Sequence, residues 1–174
     1  MTAARRTTAA KSRHNAAPRT AAASRAKAAP RAAKAPTIAF VTLGCPKNTV
    51  DSEHMLGALV KDGFRTVGSA DGADVAVINT CAFLQSAVRE SKDAIAQVQE
   101  LKASGSLKGL IVTGCLAQRS GDALLSEFPG VDAVLGTGQW NDVVRAAHHV
   151  LDGASDRIVR TQAPGGALDA LAPR

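Results

Sequence analysis

Val75-Ala76-Val77-Ile78-Asn79-Thr80-Cys81 reads as a short strand, apolar on both faces, that stops at a polar turn. The pattern occurs twice more: Ile38-Ala39-Phe40-Val41 leads to Leu43-Gly44-Cys45, and Leu110-Ile111-Val112 leads to Thr113-Gly114-Cys115. Short, largely β-branched runs of this kind suit strands of a parallel sheet, which helices cover on both faces. The three turns hold all three cysteines of the chain. Each cysteine is therefore expected at the carboxyl end of its strand, the edge of an open parallel sheet where ligands bind. Although 36 and 34 residues apart, Cys45, Cys81 and Cys115 are expected to converge on one spot.

Outward from these strands, the intervening segments have helical periodicity. After Cys45, Asn48 or Thr49 is a candidate cap for a helix with Met55, Leu56, Leu59 and Val60 on one face, ended by Gly63. A short strand is expected near Phe64–Val67. The longest helix is expected over about Ala82–Ala103, with Leu84, Ala87, Val88, Ile95, Val98 and Leu101 forming its apolar stripe. A helix with Leu124, Leu125 and Phe128 stops before Pro129-Gly130, Val131–Leu135 reads as a fifth strand, and a last helix carries Val143, Val144, Ala147, Val150 and Leu151. This alternation implies an α/β fold: a five-stranded, mainly parallel, doubly wound sheet with right-handed crossovers. The flavodoxin-like order 2-1-3-4-5 is the leading candidate, and it makes the three cysteine-bearing strands neighbours.

The net charge of +6 has an uneven source. Residues 1–36 carry nine Lys or Arg and no Asp or Glu, while the other 12 basic residues face 15 acidic ones, leaving the body at −3. That N-terminal segment, mostly Ala, Arg, Lys, Ser, Thr and Pro, is expected to be a disordered basic tail. It suits an electrostatic arm for RNA or a ribosome, shares the acid-free composition of a transit peptide, and equally suits a solvated extension with no selected role. Residues 37–151 are the expected domain, and 152–174 a tail or linker. No stretch approaches the roughly 20 apolar residues of a membrane span, so no membrane role is expected. Three unpaired cysteines suit a reducing, cytoplasmic setting.

Thiolates bind soft metals and iron–sulfur clusters. A structural zinc site usually draws four ligands, often as close pairs, and there are none here. Three thiolates suit a 4Fe–4S cluster with one iron free of protein ligands. Glycine beside the cysteines lets the backbone approach such a cluster. The bland alternative is that three small, often-buried residues fill a core.

The stretches LGCPKNTVDSE (Leu43–Glu53), NTCAFLQSAVRES (Asn79–Ser91), VTGCLAQR (Val112–Arg119) and LGTGQW (Leu135–Trp140) resemble the N-terminal domain of the radical S-adenosylmethionine methylthiotransferases. The resemblance covers about residues 37 to 151. PKN after the first cysteine and AFLQSAVRES after the second are closer to the branch that modifies a ribosomal protein than to the tRNA methylthiotransferase branch. The resemblance implies that Cys45, Cys81 and Cys115 bind an auxiliary 4Fe–4S cluster whose free iron carries the sulfur for the product. It also implies a second 4Fe–4S cluster, in a separate radical domain, that cleaves S-adenosylmethionine. The product would be an aspartate of a small-subunit ribosomal protein, methylthiolated at its β-carbon. The radical domain needs C-x-x-x-C-x-x-C, and no cysteine is left to build it. The chain is thus expected to be a fragment, a truncated product or half of a split enzyme, inactive alone. Alternatives are a non-catalytic module that docks on the ribosome or RNA, and a thiol redox sensor.

Other residues carry less. Adjacent His148 and His149 point to different helix faces and suit surface positions. His54 suits an ordinary helix position, Asn48 and Asp51 suit capping, and Trp140 suits packing. Gly136 and Gly138 are only part of a phosphate-loop pattern, with no Gly-Lys-Ser/Thr following.

Overall fold

The computed structural model describes residues 35–161. The basic segment lies outside the described residues up to position 34, as does the stretch from position 162 onward.

The elements run β1 (Thr37–Thr42), α1 (Pro46–Lys61), β2 (Arg65–Val67), β3 (Val75–Thr80), α2 (Gln85–Ala103), β4 (Gly109–Gly114), α3 (Cys115–Ser120), α4 (Asp122–Glu127), β5 (Ala133–Leu135), a 3₁₀ turn (Trp140–Asp142), α5 (Val143–Leu151) and β6 (Ile158–Arg160). The strands form one sheet in the order β2-β1-β3-β4-β5-β6, and every pairing is parallel. The expected five strands are therefore six.

β6 was not legible because three residues, two partly buried and one exposed, carry no periodicity. Its partners make it a strand. Ile158 N–H donates to Asp132 O at 3.0 Å, and Gly136 N–H donates to Arg160 O at 2.7 Å. The Arg157 guanidinium pins the strand's entry by donating to the carbonyls of Leu125 and Pro129.

The two faces of the sheet are covered by different helices. Val75 and Val77 of β3 pack with Met55 and Leu59 of α1 and with Val143, Ala147 and Val150 of α5. Ala76 and Ile78, on the opposite face, pack with Val88, Ile95 and Val98 of α2, Leu116 of α3 and Leu124 of α4. Period-two alternation thus feeds two cores, which is why β3 and β4 are buried at every position.

This arrangement has a topological corollary. The β1–α1–β2 and β5–α5–β6 units use the same face but step along the sheet in opposite directions, so their crossovers have opposite hands. The β3–α2–β4 and β4–α3/α4–β5 units share the hand of β1–α1–β2. One unit, the one ending in β6, therefore departs from the uniform hand expected of such folds.

Several local expectations are corrected. α1 starts at Pro46, whose fixed φ suits the first helical position, so Cys45 is the N-cap and Asn48 lies inside the first turn. α2 starts at Gln85 rather than near Ala82, leaving Phe83 and Leu84 outside the stripe and exposed. Val60 is also exposed rather than facing the core. The helix expected around Leu124 is preceded by a separate turn of helix, α3, with Gly121 between them at φ 44°.

Candidate functional site

The register of the sheet brings the cysteines to one edge. Thr80 pairs with Gly114, so Cys81 and Cys115 each follow immediately after a paired position of adjacent strands. Thr42 pairs with Asn79 on the other side, and the Leu43-Gly44 turn then leads to Cys45. All three cysteines line a single cavity of about 530 Å³, together with Gly44, Phe83, Leu84 and Ala87. Such a volume is ordinary for a cofactor or small-ligand pocket. The walls are almost entirely apolar. The thiols are free, with Cys45 exposed, Cys115 half-buried and Cys81 buried.

Two glycines make the convergence sterically possible. Gly44 has φ +91°, and a Cβ built there would sit 2.5 Å from Cys81 Cβ and 2.7 Å from its Sγ. Gly114 has φ +96°, and its Cβ would run into Asn79 Oδ1 and the backbone of Thr80. Any side chain at either position would push a cysteine loop away from its neighbour.

The loops are fixed by a buried polar network that the sequence reading did not find. Ser91 of α2 is fully buried; its Oγ accepts from Cys81 N–H and donates to Cys81 O, both at 3.0 Å. Asn48 Nδ2 donates to the carbonyls of Leu43 at 2.7 Å and Thr80 at 3.1 Å. Asn79 Nδ2 donates to Asn48 O at 2.9 Å and Ser52 Oγ at 3.1 Å, and Thr42 Oγ1 donates to Ser52 Oγ at 2.8 Å. Thr80 Oγ1 donates to Thr113 O at 2.5 Å across to β4. The signal for these residues was polar side chains, Asn48 and Ser52, at positions where α1 faces the sheet, where apolar residues are the rule.

The electrostatics of the thiols differ. Backbone N–H groups of Asn48 and then Lys47, in the first turn of α1, hold the Cys45 thiol below its ordinary pKa. Burial pushes the Cys115 thiol up, and its proximity to Cys81 adds to that. Lys47 opposes the shift and is itself paired with Asp51 along α1. Among the described residues, no set of three or more His, Cys, Asp or Glu side chains is drawn together in a way that could hold a metal ion.

The remaining candidates lie elsewhere. His148 pairs with Asp62 and sits edge-on to Phe64 at 5.1 Å, whereas His149 faces Asp156 O at 2.9 Å, so the pair points apart. His54 stacks on Trp140 with ring centroids 5.4 Å apart, a packing contact between α1 and the 3₁₀ turn. Asp51 pairs with Lys47 rather than capping α1. No helix among the described residues is long and apolar enough to cross a membrane.

Residues 37–136 match the family described as uncharacterized protein family UPF0004. Curated relatives carry the name ribosomal protein uS12 methylthiotransferase RimO. The protein from Lachnoclostridium phytofermentans is 49% identical over 116 residues, which are 67% of this chain and 26% of that protein. Those from Desulforamulus reducens and Pelotomaculum thermopropionicum are 44% and 42% identical over 127 and 137 residues, covering 73% and 79% of this chain and 28% and 30% of theirs. The chain thus spans about a quarter of the length of the curated relatives it matches.

Proposed function

Because the chain belongs to protein family UPF0004, we propose that residues 37–151, with β6, form the cluster-bearing N-terminal domain of a methylthiotransferase that acts on ribosomal protein uS12. In this reading Cys45, Cys81 and Cys115 hold a 4Fe–4S cluster. We also propose that the sheet is of the flavodoxin-like type and that the site of action is the cytoplasm; the β2-β1-β3-β4-β5 order supports the first.

One observation carries the cluster reading: three thiols from three different strand ends line one cavity. Their chemistry fits, since thiolates are the soft donors that iron–sulfur clusters take. Among the described residues no three such side chains are drawn together around a single ion, so the reading rests on the chemistry of the thiols and on the cavity they share. Bound there, the cluster would supply an iron with no protein thiolate, a Lewis-acidic position suited to a sulfur ligand.

The chain's own residues do the rest. The N–H groups of Asn48 and Lys47 in the first turn of α1 hold the Cys45 thiol below its ordinary pKa, which favours its ligating form. Gly44 and Gly114 let the three loops close up. Phe83, Leu84 and Ala87 give the cavity an apolar wall, of which Phe83 and Leu84 are exposed. Generation of a radical from S-adenosylmethionine requires a C-x-x-x-C-x-x-C site, and the present sequence contains only these three cysteines. We therefore assign that step, with its own 4Fe–4S cluster, to residues outside this sequence, and uS12 or the ribosome as the partner.

Anaerobic reconstitution of the chain with iron and sulfide tests the site. About four irons per chain and a brown charge-transfer absorbance are expected, both falling sharply in Cys81→Ala. A wild-type chain that takes up no iron refutes the reading.

A further inference from the structure

The cavity cysteines are carried by turns, and something must hold those turns together. Asn48 is fully buried, and its Nδ2 donates to the carbonyls of Leu43 and Thr80. Leu43 lies two residues before Cys45, and Thr80 lies immediately before Cys81. A single carboxamide therefore ties the exit of β1 to the exit of β3. Its backbone is engaged as well: Asn48 N–H donates to Cys45 O at 2.9 Å, and Asn48 O accepts from Asn79 Nδ2 at 2.9 Å.

The surroundings are fitted to this side chain. A Cβ at position 44 would lie 3.4 Å from Asn48 Nδ2 as well as against the Cys81 thiol. Asn48 Oδ1, by contrast, is buried with no hydrogen-bond partner. A buried acceptor left unpaired is costly. The side chain is therefore placed for its two donors, and neither helix capping nor its own full satisfaction explains it.

We propose that Asn48 is a positioning residue for the three-cysteine site, its two N–H donors holding the Cys45 and Cys81 turns at the separation that joint ligation requires. The inference rests on the cluster reading above. Aspartate is nearly isosteric but has no donor when ionised, and would set a carboxylate against two carbonyl oxygens. Asn48→Asp is therefore the sharpest variant.

The full chain is loaded anaerobically with iron and sulfide, and wild type, Asn48→Asp and Asp74→Asn are compared. Iron content, the visible spectrum and the rate at which a chelator bleaches the cluster are recorded, with thermal melts of the iron-free forms. Asp74 binds Thr37 and Lys108 at the opposite edge of the sheet, so its variant loses stability without touching the cysteine turns. Asn48→Asp is expected to bleach roughly tenfold faster or more, and Asp74→Asn at the wild-type rate. Equal rates for Asn48→Asp and wild type overturn the proposal, as does equal acceleration in both variants. Should Asn48→Asp fail to fold, Asn48→Ser, which keeps one donor, replaces it under the same two outcomes. Wild type that never loads refutes the cluster reading itself, whereas loading that is indifferent to Asn48 refutes only the positioning role.

Discussion

Gly44→Ala puts the convergence of the cysteine turns to a stability test that needs no metal. Two costs are expected. Gly44 has φ +91°, a region that L residues occupy at a cost of about 1–3 kcal/mol. The added Cβ would also sit 2.5 Å from Cys81 Cβ, where carbon atoms pack best at about 3.5–4.0 Å. One of the two turns must then move by roughly 1 Å. Cys81 cannot retreat freely, because Ser91 Oγ holds both its N–H and its carbonyl. Overpacking of this kind costs a further ~1–3 kcal/mol.

Gly63→Ala isolates that second cost. Gly63 has φ +99°, nearly the same backbone strain, but a Cβ there meets nothing within 4 Å. Urea denaturation of the two variants, with unchanged slope, measures both losses. Gly44→Ala should be less stable than Gly63→Ala by about 1–3 kcal/mol, a gap of several degrees in melting temperature. Equal losses would refute the close approach of the Cys45 and Cys81 turns.

Three other outcomes are expected. In the iron-free chain, pulsed alkylation read by mass spectrometry should label Cys45 before Cys115, with the pH midpoint of labelling below the ordinary thiol value for Cys45 and above it for Cys115; the reverse order would contradict the electrostatics described. Ser91→Ala leaves the Cys81 N–H and carbonyl buried without partners and should cost about 1–3 kcal/mol in urea unfolding. Asp74, hydrogen-bonded to Lys108 and Thr37, has its pKa lowered to about 2 from an unfolded value near 3.8. Its stabilising contribution is therefore complete above about pH 4 and lost as pH falls through 2. Asp74→Asn should flatten the stability profile across that window and leave its shape near neutrality unchanged.

The sequence was most readable where one residue type had one use. Val75–Ile78 and Leu110–Val112 read as buried strands because they are short, rich in β-branched residues and bounded by polar turns. The cysteines followed, since a residue just past such a strand lands on the carboxyl edge. Asn48 was misread because Asn near a helix start usually caps it. Pro46 moved that start three residues earlier, with Cys45 as the cap, and left the carboxamide buried inside the first turn. Ser91 was hidden on the face of α2 where Val88, Ile95 and Val98 pack, and its bonds to Cys81 exist only in three dimensions. Leu84 fits the helical period but falls outside α2, because the chain stays extended there before the helix begins. β6 depends on β5 and on Arg157, information that three residues do not hold.

The distribution of the thiols over three separate strand ends governs when the site can exist. In an unfolded chain, bringing Cys45 to Cys81 and Cys81 to Cys115 means closing loops of 36 and 34 residues, each at an entropic penalty on the order of 3 kcal/mol. A nascent or denatured polypeptide therefore has little multidentate affinity for iron, and the parallel β1–β3–β4 ladder must assemble before its ligands become a chelate. Any ligand that grips all three sulfurs then binds the native state alone, adding to its resistance to unfolding by mass action. Loss of that ligand should be felt as a drop in melting temperature across the whole sheet, not at its carboxyl rim alone.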